Sequence, residues 1–244
     1  MSSHHLAIRD LTVSYNGVPA IHHLDLDLTC GHCVGLIGPN GAGKTTLLKA
    51  LAGLVPKETG HIHFEGHGGA LHHDGVAYLP QRGLIDWDFP ITVRGLAEMG
   101  RYTALGPWRS FSTEDDRIVQ EALAATHLTD LADRQINALS GGQQQRAFLA
   151  RAWAQQAHVY LLDEPFTGLD KNAQTDLIAI LRRLTGEGKL VLASHHDLKS
   201  VPELFDQVLL LNGELVAFGE NATVFTPENI NRAFATEIFV GAHR

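Results

Sequence analysis

Apolar positions along this chain follow two spacings, and the change from one to the other outlines its organisation. Leu24, Leu26 and Leu28 stand between Asp25 and Asp27, the period-2 pattern of a sheet with one wet face. Residues 4–15 and 20–28 therefore read as two strands, with Asn16-Gly17 marking the turn between them. Cys33-Val34-Gly35-Leu36-Ile37 is short and almost wholly apolar, as a buried strand should be. Leu47, Leu48, Leu51 and Leu54 then recur at helical spacing. Residues 61–65 and 76–80 read as short strands around a glycine-rich turn.

From Arg82 to about Ala157 the pattern turns helical apart from a loop at 82–91. Thr92 is placed to cap a helix carrying Val93, Leu96, Ala97 and Met99. Thr113-Glu114-Asp115-Asp116 resembles a capping box for a helix with Ile118, Val119, Ala122 and Leu123. His158-Val159-Tyr160-Leu161-Leu162 is again a buried-strand run, followed by a helix on Leu177, Ile178, Ile180, Leu181 and Leu184 and a strand at 189–193. Strands alternating with helices predict an α/β fold with a mainly parallel sheet, whose ligand lies outside the carboxyl ends of the strands. The expected organisation is a single domain. Residues 1–81 and 158–244 form the α/β core with an N-terminal antiparallel β subdomain, and residues 82–157 form an inserted α-helical subdomain.

Composition narrows the class. The chain has 244 residues, enough to bury a substantial core. With 27 acidic against 19 basic residues it carries a net charge of −8, which disfavours general affinity for nucleic acid or anionic lipid. No apolar run approaches the roughly 18 residues that span a bilayer. The start, Met1-Ser2-Ser3-His4-His5, lacks a cationic region followed by an apolar one, so a cytosolic location is expected. Both cysteines fall in Cys30-Gly31-His32-Cys33, ahead of a strand rather than a helix, which favours a reduced, structurally placed pair over a redox or zinc site. His61, His63, His67, His72 and His73 read either as a solvated turn or as a metal-binding tract, with no carboxylate or thiol partner placed by the pattern.

The candidate chemistry begins at Gly38-Pro39-Asn40-Gly41-Ala42-Gly43-Lys44-Thr45-Thr46, a phosphate loop between strand and helix. Its glycines let several N–H groups face one phosphate, and the following helix adds its positive end. Lys44 is expected to reach the β- and γ-phosphates, with the Thr45 hydroxyl a ligand for Mg²⁺. A second apolar strand ends in Asp163-Glu164. Asp163 is expected to hold Mg²⁺, and Glu164 to orient and deprotonate an attacking water. Together these point to hydrolysis of a nucleoside triphosphate. Tyr15, at a strand end, is either core or a face on which a base stacks.

Leu139-Ser140-Gly141-Gly142-Gln143 resembles the signature of the ATP-binding-cassette (ABC) ATPases, and the likeness extends over nearly the whole chain. The resemblance implies a P-loop (RecA-like) core. It also implies two ATP molecules sandwiched in a dimer, each between the phosphate loop of one copy and Ser140, Gly141, Gly142 and Gln143 of the other. That signature opens a helix expected at Gln143–Gln155, a second anion-binding helix tip. Tyr15 then matches the adenine-stacking aromatic, and Gln81 the glutamine that contacts Mg²⁺ or the lytic water. Asp170 matches the aspartate linking the two sites, and His196, with Asp197, the histidine that contacts the γ-phosphate. His195 is left as a neighbour without direct contact. Gln81-Arg82, Asp86-Trp87-Asp88-Phe89-Pro90, Gln143-Gln144-Gln145-Arg146, His195-His196-Asp197-Leu198 and the tail near Pro227-Glu228-Asn229 are similar to the manganese/zinc/iron-type importers of that family.

That finer resemblance implies uptake of a divalent metal ion through a separate permease, fed by an extracytoplasmic metal-binding protein, at the cytoplasmic face of the membrane. Trp87 and Phe89 read either as anchors of the permease interface or as internal packing of the helical subdomain. Import of a metal chelate or siderophore, or export, would use the same phosphate-handling residues. A soluble ABC ATPase without transport is disfavoured by the single cassette and the lack of sustained heptads.

Overall fold

The computed structural model describes residues 5–65, 75–105 and 109–234. Strands β1 (His5–Tyr15) and β2 (Val18–Thr29) form an antiparallel hairpin joined at Asn16-Gly17, and β4 (Thr59–Glu65) pairs with the other side of β1. Between them run β3 (Cys33–Ile37) and helix α1 (Lys44–Leu51). After β5 (Val76–Leu79) come α2 (Val93–Met99), α3 (Tyr102–Leu105), α4 (Thr113–Ala125) and α5 (Gly141–Ala154). The chain then alternates through β6 (Val159–Leu162), α6 (Lys171–Gly186), β7 (Leu190–His195), α7 (Val201–Leu204) and β8 (Gln207–Asn212). It closes with β9 (Glu214–Glu220), α8 (Asn221–Val224) and α9 (Pro227–Phe234).

A six-stranded sheet in the order β5-β6-β7-β3-β8-β9 is parallel except for its edge strand β9. Its strands are apolar on both faces because both are covered. Val34, Leu36, Val159, Leu161, Leu190, Leu192, Leu209 and Leu211 face a core shared with α1 and the three-stranded sheet. Their neighbours Cys33, Ile37, Tyr160, Leu162, Val191, Ala193, Val208 and Leu210 face a second core with α2, α4, α5 and α6. The period-2 alternation thus assigns each strand residue to one of two cores, each fully buried Leu or Val contributing about 1.5–3 kcal/mol.

The strands expected at 61–65 and 76–80 are present, and two other local expectations are corrected. The strands at 61–65 and 76–80 belong to different sheets, β4 pairing with β1 and β5 with β6. His61 and His63 are exposed while Phe64 is buried, which suits a one-faced sheet; Val76, Ala77 and Leu79 are all buried, which suits the covered one. The capping box of α4 is built on Ser112 rather than Thr113: Ser112 is extended (φ −113°) and exchanges hydrogen bonds with Asp115 three residues on. Helix α5 starts at Gly141, two residues before the expected Gln143, because Ser140 caps it in a box with Gln143. Thr92 caps α2 as expected, accepting from the Gly95 N–H at 3.1 Å.

Register sets the site. β3 pairs with β7 so that Ile37 lies beside His195, β7 with β6 so that Ala193 lies beside Leu162, and β6 with β5 so that Leu162 lies beside Leu79. The four residues that follow these strands (Gly38, Asp163, His196 and Pro80, with Gln81 next) emerge at one edge, the carboxyl ends where a parallel sheet presents its ligand.

Candidate functional site

The phosphate loop is held by close backbone approach. A Cβ on Gly38 would stand 2.1 Å from the Leu211 carbonyl, and one on Gly43, whose φ is +90°, would stand 2.4 Å from the Ala20 carbonyl. Only glycine fits at either position. Helix α1 begins at Lys44 with no side chain capping its first turn, which leaves N–H groups facing the loop. The Lys44 amine, nearly buried, donates to the carbonyls of Gly38 and Pro39, 2.7 Å each. Asn40 and Gly41 are exposed on the loop, and Thr46 is half-buried on the first turn. Tyr15 stands exposed at the tip of the β1–β2 hairpin beside Val18.

Beside the loop, Asp163 is 2% exposed, and both carboxylate oxygens are engaged. Oδ2 accepts from the Thr45 hydroxyl at 2.9 Å and Oδ1 from the Ser194 hydroxyl at 2.7 Å. The same Ser194 oxygen accepts the N–H of Glu164 at 2.8 Å. Glu164 needs that support because its φ is +49°, a left-handed conformation that costs a non-glycine residue roughly 1–2 kcal/mol. Its Oε2 accepts from the Gln81 amide at 3.1 Å and the Thr167 hydroxyl at 3.1 Å, with His196 Nδ1 at 3.8 Å. Gln81 and His196, each beyond the end of a different strand, thus approach one oxygen of Glu164, which Thr167 also meets.

The two adjacent histidines part company. His195 ends β7, is 5% exposed and lies edge-on to Phe166 and Phe205, with Nε2 2.7 Å from the Ser200 hydroxyl. Burial pushes its pKa down, so it stays neutral. His196 is half-exposed and turned toward Glu164. Asp197 is turned away to accept from the Lys199 N–H and the Ser200 hydroxyl, which hold its carboxyl below the usual range.

Ser140, Gly141, Gly142 and Gln143 form the tip of α5. A Cβ on Gly142 would lie 2.7 Å from the Cβ of Ala173, so this tip packs onto the start of α6. Asp170 caps that same α6 start, accepting from the Ala173 N–H at 2.8 Å. Helix α1 packs in one core and α5 in the other.

Sequence reasoning did not identify Ser194, Thr167 or the partners of Arg82 and Gln144. Ser194 had one legible sign, a hydroxyl directly after the apolar run Leu190–Ala193. Of the two readings for Trp87 the structure shows packing: it is half-buried and edge-on to Phe148 at 5.2 Å, between the 82–91 loop and α5. Phe89 is exposed, as is Leu84. Burial lifts the thiols of Cys30 to about 11 and Cys33 to about 12, and both are free. Among the described residues no three His, Cys, Asp or Glu side chains are grouped to hold a metal ion, and His67, His72 and His73 lie outside those residues.

Residues 21–167 match the model of the ABC transporter family. The chain belongs to that family. This ABC cassette is 41% identical over 225 residues to the manganese transport system ATP-binding protein MntB of Bacillus subtilis, covering 92% of this chain and 90% of the relative. It is 42% identical over 231 residues to the zinc transport system ATP-binding protein TroB of Treponema pallidum, covering 95% and 87%. A solved, inward-facing ABC transporter described as of metal-chelate type superposes with a TM-score of 0.82 at 29% identity, over 96% of this chain and 90% of that one. The fold is the P-loop α/β fold of the ABC ATPases, and the cassette is an ATP-binding ATPase. Among the described residues no helix is long and apolar enough to cross a membrane.

Proposed function

We propose that this ATPase energises uptake of a divalent metal ion of the manganese, zinc or iron kind through a separate permease, two copies closing over two ATP molecules. The approach of Gln81 and His196 to one oxygen of Glu164, beside the Thr45–Asp163 pair, carries the hydrolytic half of this reading. Names of relatives that transport manganese and zinc support the substrate.

The chemistry follows from the residues. The Lys44 amine would exchange its two carbonyl partners for β- and γ-phosphate oxygens, while the α1 tip and the loop N–H groups take the remaining charge. Tyr15 offers its exposed ring to adenine. Thr45 and Asp163 present hard oxygen donors 2.9 Å apart and, with Gln81, would hold Mg²⁺, which when bound neutralises phosphate charge. Glu164 would take a proton from a water as the water oxygen bonds to the γ-phosphorus and the bond to ADP breaks, and His196 beside it would contact the γ-phosphate.

The two-copy part of this reading rests on the resemblance of Leu139–Gln143 to the family signature, with Ser140 capping a helix whose tip is a second anion-binding terminus. Ser140, Gly141, Gly142 and Gln143 of one copy would complete the triphosphate site of the other, with Asp170 linking the two in a C2 dimer. We treat residues 82–157 as the helical unit that moves on closure, with exposed Leu84 and Phe89 toward the permease. The cassette would then sit at the cytoplasmic face of the membrane, peripheral through that permease, with an extracytoplasmic protein delivering the metal and no nucleic acid involved. Uptake of a metal chelate, supported by the metal-chelate structural relative, is the second reading.

Glu164→Gln tests the hydrolytic and dimeric parts. Turnover should fall at least ~100-fold, and size-exclusion chromatography with light scattering should show a dimer in Mg-ATP and a monomer without it. Wild-type turnover by that variant would refute the role of Glu164. For the substrate, a strain lacking this gene should lose accumulation of labelled Mn²⁺ or Zn²⁺ and regain it with the wild-type chain but not with Glu164→Gln. Loss of chelate uptake alone would favour the second reading.

A further inference from the structure

Arg82 is one peptide bond from Gln81, yet its side chain runs the opposite way. Gln81 reaches Glu164, whereas Arg82 Nη2 donates to Gln144 Oε1 at 2.7 Å, on the first turn of α5. Nη1 lies against the α carbon of Gly141, where an added Cβ would be only 2.7 Å away, and 3.8 Å from the corresponding position on Gly168. The guanidinium also sits over the Trp87 ring at 5.6 Å, and the Trp87 indole N–H donates back to the Arg82 carbonyl at 3.2 Å. Trp87 in turn meets Phe148 two turns along α5. Gln144 is buried and uses both ends of its amide, accepting from Arg82 and donating to the Ile136 carbonyl at 3.1 Å.

We propose that Arg82 is a positioning residue that ties Gln81 to the tip of α5, setting the angle at which Ser140 and Gly141 meet the partner copy's nucleotide. It makes no contact with nucleotide itself and acts through Gly141 and Gln144. When Gln81 shifts from Glu164 toward a γ-phosphate, the adjacent residue carries that shift into the helix tip. The planar fork matters: it spans Gln144 and Gly141 at once, which a lysine, a single point charge on a flexible stem, does not. This rests on the two-copy reading above.

The test places Arg82→Ala in the Glu164→Gln background and measures, by sedimentation equilibrium, the dissociation constant of the dimer at saturating Mg-ATP. ATP affinity of the single copy and thermal midpoint are followed in parallel. Arg82→Ala should weaken dimerisation about 10-fold, the equivalent of one good polar contact, with ATP affinity within about twofold. Gln144→Ala should act alike, and the double variant should be no worse than either, because both remove one linkage. Arg82→Lys, which keeps charge and length and guards against misfolding of the alanine variant, should weaken dimerisation by a smaller factor, about threefold. Unchanged dimerisation in Arg82→Ala overturns this proposal alone, as do additive effects of the two substitutions. A loss of ATP affinity by the single copy equal to the loss of dimerisation also overturns it, by making Arg82 a general packing residue. A Glu164→Gln parent that stays monomeric in Mg-ATP overturns the two-copy site and this proposal with it.

Discussion

Replacing Ser194 with alanine probes the hydrolytic centre without touching a group expected to meet nucleotide. Ser194 is fully buried, and its one hydroxyl serves two neighbours, donating to Asp163 at 2.7 Å and accepting from the Glu164 N–H at 2.8 Å. Ser194→Ala removes a hydrogen bond to a charged group, about 1.5–3 kcal/mol, and strands a buried N–H, about 1–3 kcal/mol. Partial relaxation leaves an expected loss of roughly 2–4 kcal/mol, a large share of the roughly 5–15 kcal/mol of an ordinary domain. Catalysis should suffer separately. Glu164 holds φ +49° with that hydroxyl on its N–H, so freeing about 1.5–3 kcal/mol of positioning should lower kcat about 10- to 100-fold. Urea unfolding measures the first effect, and steady-state ATPase assays at saturating Mg-ATP, on protein shown to be folded, measure the second. ATP affinity should stay within about threefold, since Lys44 and the loop are untouched. A folded variant with kcat within twofold of the parent would show that Asp163 and Glu164 are positioned without Ser194.

Lys44→Ala should weaken ATP binding by at least about 100-fold, measured by calorimetry; retained affinity would place the triphosphate elsewhere. Asp115 is buried in α4, its carboxyl held far below the usual range by the Ser112 hydroxyl and then by Arg109 and Arg101. Because its folded pKa is depressed, it contributes stability that is complete above the ordinary carboxylate value near 4 and lost as pH falls below it. Asp115→Asn should therefore be less stable than the parent at pH 7, with the gap narrowing from pH 5 to pH 3 in urea titrations. A gap of constant size across that range would contradict the assignment.

Much of this molecule was legible in its sequence because the signals were local. The alternation at Leu24–Leu28, the apolar run Cys33–Ile37 and the phosphate loop depend on neighbours within ten residues, and the structure places a strand, a buried strand and a loop-to-helix turn there. Thr92 was legible as a cap for the same reason. The capping box of α4 missed by one residue because Ser112 and Thr113 offer the same hydroxyl, and only the extended backbone of Ser112 separates them.

What the chain alone could not decide were contacts between elements distant in sequence. That β4 and β5 lie in different sheets is set by which face each must cover, as is the inward turn of Trp87. The sequence by itself determined which groups are available: Lys44, Thr45, Asp163, Glu164, Gln81 and the two histidines. The order His196-Asp197 already favoured His196 over His195; tertiary structure added that His196 faces Glu164, that His195 is packed between phenylalanines and that Ser194 bridges Asp163 to Glu164. It also decided that Arg82 grips the tip of α5. A hydrogen bond is decided within a few tenths of an ångström, a precision that appears only when parallel strands fix their register against one another.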